Sequence, residues 1–462
     1  MKKMMRWLKV SVVGFIVIAV ISFFLQINPK AFAEDRYADL QNFSKVLNLI
    51  QQYYVESVDI KKLIYGAIKG MLRELDPHSS FMTPEIFKDF ERETGGEFGG
   101  IGIEISIQNG VLTIISPIED TPAWKAGVKA GDKVIAIDGK STKNASLAEA
   151  SQMMRGKKGA KITLRMLREG VDAPIDIVIV RGNVRVKSVK YTDLENGYAY
   201  IRITSFIENT AEDLEKMITK HNSQYPNAAG LLIDLRKNPG GLLEQAVKIS
   251  DMFLKDGVIV STISRDPKQK EITSATKTGK YTAIPILILV DEYSASASEI
   301  VSGALQDNNR ALVVGERTFG KGSVQSVVKL GDGSALKLTV ARYYTPSGVS
   351  IQAEGIHPDV ILEDISADET AVAKGGRIIR EKDIAGHLRG DQEKDDKEDV
   401  LKDRRPDAAK KLRQANLDAF EQWKLLTKKE DKLLSVTEKL VKSDFQAYQA
   451  INYLKTWSTL KK

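Results

Sequence analysis

The spacing of apolar residues changes character along the chain, and each change marks a unit. Leu40, Phe43, Val46, Leu47 and Ile50 recur at three- and four-residue intervals, the spacing of one helix face. Leu63 to Leu75 repeats that spacing. Asp76-Pro77 closes the run, because proline disfavours helical backbone in the residue before it. Residues 36–94 are therefore expected to form a small helical domain. The period then shortens. Ile101–Ile107 and Val111–Ile115 are alternating or β-branched runs around Asn109-Gly110, a strong hairpin signal. Pro122–Gly127 reads as a short helix and Ser146–Arg155 as a second. Ile162–Arg168 and Ile175–Arg181 read as further strands. Residues 95–182 thus make a compact β-rich module.

From 183 to 365 strands and helices alternate. Tyr198–Ile203, Leu231–Leu235, Val258–Ile263, Pro285–Val290 and Ala311–Gly315 are the strands. Between them lie a helix from Thr210 to His221, with Thr210 and Asp213 as a weak capping box, a helix ending near Leu254, and one ending near Asp307. Val324–Leu330 and Ala335–Tyr344 form a hairpin through Gly331–Ser334. This βαβ order implies a mostly parallel sheet with crossover helices. In the tail, 366–462, residues 388–412 are dense in charge and read as a solvated linker. Helical periodicity returns over 433–457. The fold class is a multidomain α+β and α/β chain: a helical N-terminal part, a β-rich module, a crossover βαβ domain and a helical tail.

The first 33 residues are a targeting signal. Lys2, Lys3, Arg6 and Lys9 precede the uncharged run Val10–Leu25, and Ala31-Phe32-Ala33 follows. Basic region, apolar region and A-x-A site read as a secretory signal peptide. The run is short for a span of about 20 residues, yet a retained anchor stays open. Either way the body is expected outside the cytoplasm, in a periplasm or on the outer face of the cytoplasmic membrane. The chain has no cysteine, which removes thiolate catalysis, disulfides and Cys-type metal sites. Its four histidines show no HExxH or paired-His spacing, so a catalytic zinc site is not expected. A net charge of +7 over 462 residues makes no case for nucleic acid.

Candidate chemistry lies in the alternating region. Ser294-Ala295-Ser296-Ala297-Ser298-Glu299 follows an apolar strand and opens a helix. Ser296 with Glu299 fits a plain capping box, S-x-x-E. The same geometry also suits a nucleophile, because a helix start offers unpaired N–H groups to a developing oxyanion. Lys321 sits between Gly320 and Gly322, where tight turning can point it inward. A serine is a poor nucleophile until a base takes its proton, and a lysine serves only if desolvation lowers its pKa. Gly315-x4-Gly320-Lys321 also matches the opening of a phosphate-binding loop. Gly322 stands where that loop needs Ser or Thr, and a strand follows where it needs a helix. Asn238-Pro239-Gly240-Gly241 is either an ordinary turn or a second source of oxyanion N–H groups. His78 and His357 adjoin prolines in turns, where histidine is usually structural; a Ser–His pair is a minor alternative. Gly99, Gly100, Ile101 and Gly102 precede strands, so a dinucleotide loop is excluded and capture of a peptide carboxylate is open.

Together these residues resemble the carboxyl-terminal processing peptidases, or tail-specific proteases, from about residue 40 to 365. The motifs are Leu75-Asp76-Pro77-His78-Ser79, Gly99–Gly102, Asp234-Leu235-Arg236-x-Asn238-Pro239-Gly240-Gly241, Ser294–Ile300 and Thr318–Gln325. The resemblance implies that Ser296 is the nucleophile, Lys321 its general base and Gln325 the residue that orients the lysine. Asp307 matches a position where some relatives carry a carboxylate. The resemblance implies oxyanion donors near Ala297, Gly240 and Gly241. It makes 95–182 a PDZ domain that binds the apolar C-terminus of a polypeptide substrate, with Arg168 relaying occupancy to the peptidase domain, 183–365. It implies no metal or organic cofactor, and an adaptor protein and a homo-oligomer are compatible with it. The opposing class is a catalytically silent PDZ scaffold of the same shape.

Overall fold

The computed structural model describes residues 29–363, 380–391, 393, 419–420, 422–423 and 436–460, apart from 109–110, 118–120, 130, 144, 146 and 186. Residues 1–28, the turn at Asn109-Gly110 and most of the charged stretch 388–412 lie outside the described residues, whereas Ala31-Phe32-Ala33 falls within the first helix. Among the described residues no helix is long and apolar enough to cross a membrane.

Residues up to Leu72 form one unit. Helix α1 spans Pro29–Tyr53 and α2 spans Ile60–Arg73. The apolar stripe of Leu40, Phe43 and Val46 does lie on a helix, and it is exposed.

The second unit, from Arg73 onward, holds the rest. Its first strand, β1 (Ser80–Met82), was not legible as one, and helix α3 (Pro84–Thr94) follows it. Next come β2 (Glu97–Gly100), β3 (Ile103–Gln108), β4 (Val111–Pro117), α4 (Pro122–Lys125), β5 (Lys133–Ile137) and β6 (Lys140–Ser141). Helix α5 (Leu147–Met154), β7 (Lys161–Leu167), β8 (Ile175–Val180) and β9 (Gly182–Arg185) complete this module. Its sheet runs β3-β4-β5-β7-β8 and closes over Ile101, Ile114, Val134 and Leu164.

The larger sheet is built from β10 (Val189–Asp193), β11 (Tyr198–Ile203), β12 (Gly230–Asp234), β15 (Ile286–Val290), β16 (Ala311–Gly315) and β19 (Val360–Ile361), in that spatial order. All its pairings are parallel except β10 with β11. Alternation along the strands divides the core in two, because successive side chains point to opposite faces. Leu231, Ile233, Ile286, Ile288 and Val290 meet helices α6 (Thr210–Gln224), α7 (Leu243–Phe253) and α8 (Ala297–Asp307). Leu232, Leu287, Leu289 and Val314 meet Ala450, Ile451 and Leu454 of the tail. The tail helices are α9 (Val436–Ser443) and α10 (Phe445–Leu460). The expected capping box of α6 does not form. Asn209 is the N-cap, and the Thr210 hydroxyl instead bonds Ser188 and the Ile207 N–H.

The strand at Val258 departs from the expected crossover series. It is β13 (Val258–Ser264), and it joins β14 (Lys270–Ser274) and β18 (Ala335–Tyr344) in an antiparallel sheet. The predicted hairpin is present as β17 (Ser323–Lys329) with β18, and β1 pairs with the far end of β18. An apolar run of that length states that it is a strand but not which neighbour it takes.

Arg236 ties α10 to the end of β12. It bonds Asp234 beside it, Asp444 at 2.6 Å and Gln446 at 2.9 Å. Burial opposes ionisation of Asp444, but the hydrogen bonds and charge of Arg236 prevail and hold its carboxyl below the usual range. Asp444→Ala is expected to lower the unfolding free energy by about 2 kcal/mol in a urea melt. That is less than the ~3–5 kcal/mol for a buried charge left alone, because Asp234 still compensates Arg236. A depressed carboxylate stabilises above its unfolded pKa, so this contribution is lost as pH falls below the carboxylate range.

Candidate active site

Three loops leave the C-terminal ends of β12, β15 and β16, which are neighbours in the sheet. Open α/β sheets bind ligands at that end. The first loop carries Asn238–Gly241, the second Ser294–Ser296 and the third Phe319–Gly322.

The three serines of the second loop have different tasks. Ser294 is fully buried, and its hydroxyl donates to the Leu235 carbonyl at 2.9 Å. Ser298 is fully buried and donates to the Asn238 carbonyl at 3.0 Å. Both stitch the second loop to the first. The Ser296 side chain faces the Glu299 amide in the capping-box arrangement, but no full side-chain cap hydrogen bond forms. The Glu299 amide bonds the Ser296 carbonyl oxygen instead, at 2.9 Å. Ser296 also holds φ +55 and ψ −111, which a residue with a Cβ rarely adopts. Such a conformation costs about 1–3 kcal/mol and persists only where the surroundings impose it.

Two features impose it. Gly240 packs directly on the turn: a Cβ there would stand 2.6 Å from the Ala295 oxygen and 2.8 Å from the Ser296 Cβ. Glu299 supplies the second. It is fully buried, and its carboxylate accepts four hydrogen bonds. Oε2 takes the N–H of Ser296 at 2.7 Å and of Lys321 at 2.9 Å. Oε1 takes the Thr318 hydroxyl at 2.6 Å and the Gly320 N–H at 2.7 Å. One oxygen therefore binds the backbones of both residues singled out by sequence, less than two hydrogen bonds apart. Burial pushes the Glu299 pKa up to about 7 against the pull of those four donors. The capping-box spacing pointed to Glu299, but not to its hold on a loop twenty residues away.

Lys321 lines a cavity of about 720 Å³. Among the described residues its amine has no hydrogen-bond or ion-pair partner. Burial lowers its pKa from the ordinary lysine value; the charge of Lys337 lowers it further, and Glu381, Glu299 and Asp76 oppose this. Desolvation of this kind makes an amine easier to deprotonate than one at the surface.

The other expected site residues sit as follows. The Gly240 N–H donates to Asn238 Oδ1 at 2.9 Å, so that amide is engaged. Gly241, at φ +144, backs onto Phe206. Ala297 is the first residue of α8, where an N–H has no intrahelical acceptor. The Gln325 amide donates to Ser323 at 2.9 Å and Thr339 at 3.3 Å, and neither is Lys321. Asp307 caps the Ser347 N–H at 2.9 Å. In the β-rich module Gly99 and Gly100 pair with β9 as part of β2, and Ile101 is buried in that core. Gly102, at φ +79, lies against Thr121. Arg168 bonds both carboxylate oxygens of Asp132 at 2.7 Å and the Gly127 carbonyl.

His78 was expected as a turn residue with a Ser–His pair only as a minor alternative, and Glu381 was not singled out. His78 lines the same cavity as Lys321, and its Nε2 lies 2.7 Å from the fully buried Glu381 carboxylate. Glu381 follows Arg380, which donates to the carbonyls of Arg317 and Thr318. Residues 380–391 thus brace the Lys321 loop, where the sequence suggested only the approach to a linker. Among the described residues no cluster of ligating side chains could hold a metal ion.

The buried amine of Lys321 and the hydroxyl of Ser296 belong to two loops at the open end of the parallel sheet that one carboxylate ties together. Residues 197–362 match the model of peptidase family S41, 113–168 a PDZ domain, and 25–86 the N-terminal domain described as that of the activating protease CtpB. The chain is 46% identical over 367 residues to a carboxy-terminal-processing protease of Bartonella bacilliformis, covering 78% of this chain and 83% of that one. It is 40% identical to the carboxy-terminal processing protease CtpA of Bacillus subtilis, over 69% and 68% of the two chains. A solved photosystem II D1 C-terminal processing protease is 31% identical over 72% of this chain and 95% of its own, with a TM-score of 0.45. The chain belongs to the S41 serine-type peptidases, and within them to the carboxy-terminal processing proteases.

Proposed function

We propose that the chain is an exported endopeptidase in which Ser296 is the nucleophile and Lys321 its uncharged general base. The observation that carries this is the Glu299 carboxylate, which binds the Ser296 and Lys321 backbones through a single oxygen. Ser296 attacks the scissile carbonyl and its proton passes to the Lys321 amine. The Ala297 N–H faces the developing oxyanion. Lys321 then returns the proton to the leaving amine, and water, activated by the same base, releases the acyl group. The PDZ domain selects the substrate by its C-terminus. β3 is an edge strand of its sheet, where an extended peptide can add as a further strand. Export rests on the pattern of residues 1–33.

The test is digestion of an unfolded protein by the wild-type chain and by Ser296→Ala, with the substrate C-terminus either free or amidated. Cleavage by wild type alone, slower on the amidated form, is expected. Cleavage by neither makes the chain a silent scaffold. Equal cleavage of free and amidated substrate removes the PDZ role and leaves the peptidase reading.

A further inference from the structure

The cavity beside Lys321 has walls of one kind and charges of one sign. Pro239, Tyr293, Ala295 and Phe319 give it apolar sides. Its ionisable basic side chains are His78, Lys237 and Lys321, and no carboxylate lines it. Two of these three charges are already accounted for. Lys321 works as a neutral base, and His78 is bonded to Glu381. Lys237 is the charge that an entering substrate meets.

Its backbone is held for that task. Lys237 takes φ +56, in the left-handed region. Its N–H donates to both oxygens of Asp291, at 2.9 and 3.0 Å. The carboxylate spends itself on the Lys237 backbone, and among the described residues the ammonium has no ion-pair partner. Glu292 and Glu316, whose charges reach Tyr293, act also on Arg380 and do not line the cavity. Asn238 and Pro239 separate Lys237 from Gly240, so its side chain starts three residues from the glycine that packs on Ser296, and it lines the same cavity as Lys321. A substrate group reaching Lys237 is therefore close to the bond being cut.

We propose that Lys237 is a specificity-determining residue that selects substrates with an acidic side chain near the scissile bond. This rests on the Ser296–Lys321 reading and adds the substrate class to it. Lys237 is exposed at the cavity's rim, so such a pair has the modest strength of a solvated ion pair.

The experiment uses the full chain and a peptide that it cuts. Each of the three residues on either side of the cleaved bond is changed in turn to Asp and to Asn. At one of these positions kcat/KM for the Asp form is expected to exceed the Asn form about threefold, the scale of one exposed ion pair. Lys237→Asn, which tolerates the left-handed backbone, brings that ratio to about one. Lys237→Arg keeps the ratio, and Lys237→Glu inverts it in favour of a Lys-bearing peptide. Equal Asp and Asn rates at every position, or a ratio that survives Lys237→Asn, overturns the proposal. Ser296→Ala separates the two readings. If it cuts like wild type, the peptidase mechanism falls. If it is inactive while wild type shows no Asp preference, only the role of Lys237 falls.

Discussion

Lys321→Met is expected to cut turnover a thousandfold or more while leaving the protein folded. A positioned general base contributes about 10²–10⁴ in rate. Here it is also what makes the serine a nucleophile, so its loss falls toward the upper end. Methionine keeps the length of the side chain and removes the amine from a site that disfavours its charge. The sign of the stability change follows. Burial, then the nearby Lys337, lower the folded pKa of Lys321 below the ordinary value of 10.5. The unfolded chain therefore binds a proton that the folded chain releases earlier. Lys321 costs stability below its unfolded pKa, and the cost fades as pH rises through that value. Lys321→Met should melt higher than wild type near neutral pH. In the wild type kcat/KM should rise with pH as the amine deprotonates, with a midpoint below that of a free lysine. His78, Lys337, Glu381, Glu299 and Asp76 surround this part of the site, so the midpoint belongs to the group rather than to one pair. Undiminished turnover in Lys321→Met would end the mechanism.

Local signals carried most of what was legible. Ser296 and Lys321 each sit in a short motif whose spacing states its own backbone: strand, tight turn, helix for one, and a glycine-bracketed turn for the other. The continuous apolar run that marked Leu231–Leu235 as a strand was equally local, and β12 (Gly230–Asp234) occupies that position. What stayed hidden depends on partners far along the chain. His78 looked like a turn residue because Glu381, which places it in the cavity, lies 303 residues away. The three residues of β1 carry no pattern of their own and become a strand only against β18.

The physical basis for choosing among three serines, which only the resemblance settled in favour of Ser296, was hidden for a related reason. Alternation in Ser294-Ala295-Ser296-Ala297-Ser298 makes them look equivalent. They differ only in what Leu235 and Asn238, on another loop, do to their hydroxyls. Lys237 is a second such case. It stood at a position the motif leaves open, and its neighbours, not its type, give it a cavity to face. Packing between loops decides these roles, and no period in the chain reports it.

Glu299→Gln should lower kcat about a hundredfold with little change in KM. A carboxylate can accept at both oxygens, whereas an amide accepts at one and donates at the other. Whichever way the amide turns, two of the four present donors meet an NH₂ group. They are the Ser296 and Lys321 amides, or the Thr318 hydroxyl and Gly320 amide. Each stranded donor costs about 1–3 kcal/mol. A loss of about 2.7 kcal/mol in the transition state is a hundredfold in rate. The loss falls on kcat because the substrate's own contacts remain and only the alignment of hydroxyl and amine is disturbed. The pH dependence separates this role from a merely structural one. Burial raises Glu299 to about 7 from the ordinary 4.5, so the folded protein holds a proton there that the unfolded chain has lost. Below about 7 the protonated carboxyl has turned one acceptor into a donor, as the amide does permanently. Wild-type kcat should therefore fall through this range on the acid side, and the variant should lack that step. The carboxylate's ionisation costs stability as pH rises from 4.5 through 7, so the variant's denaturant midpoint should not show that decline. A variant with wild-type kcat at pH 8 would mean that the shared carboxylate does not hold the two reacting side chains in place.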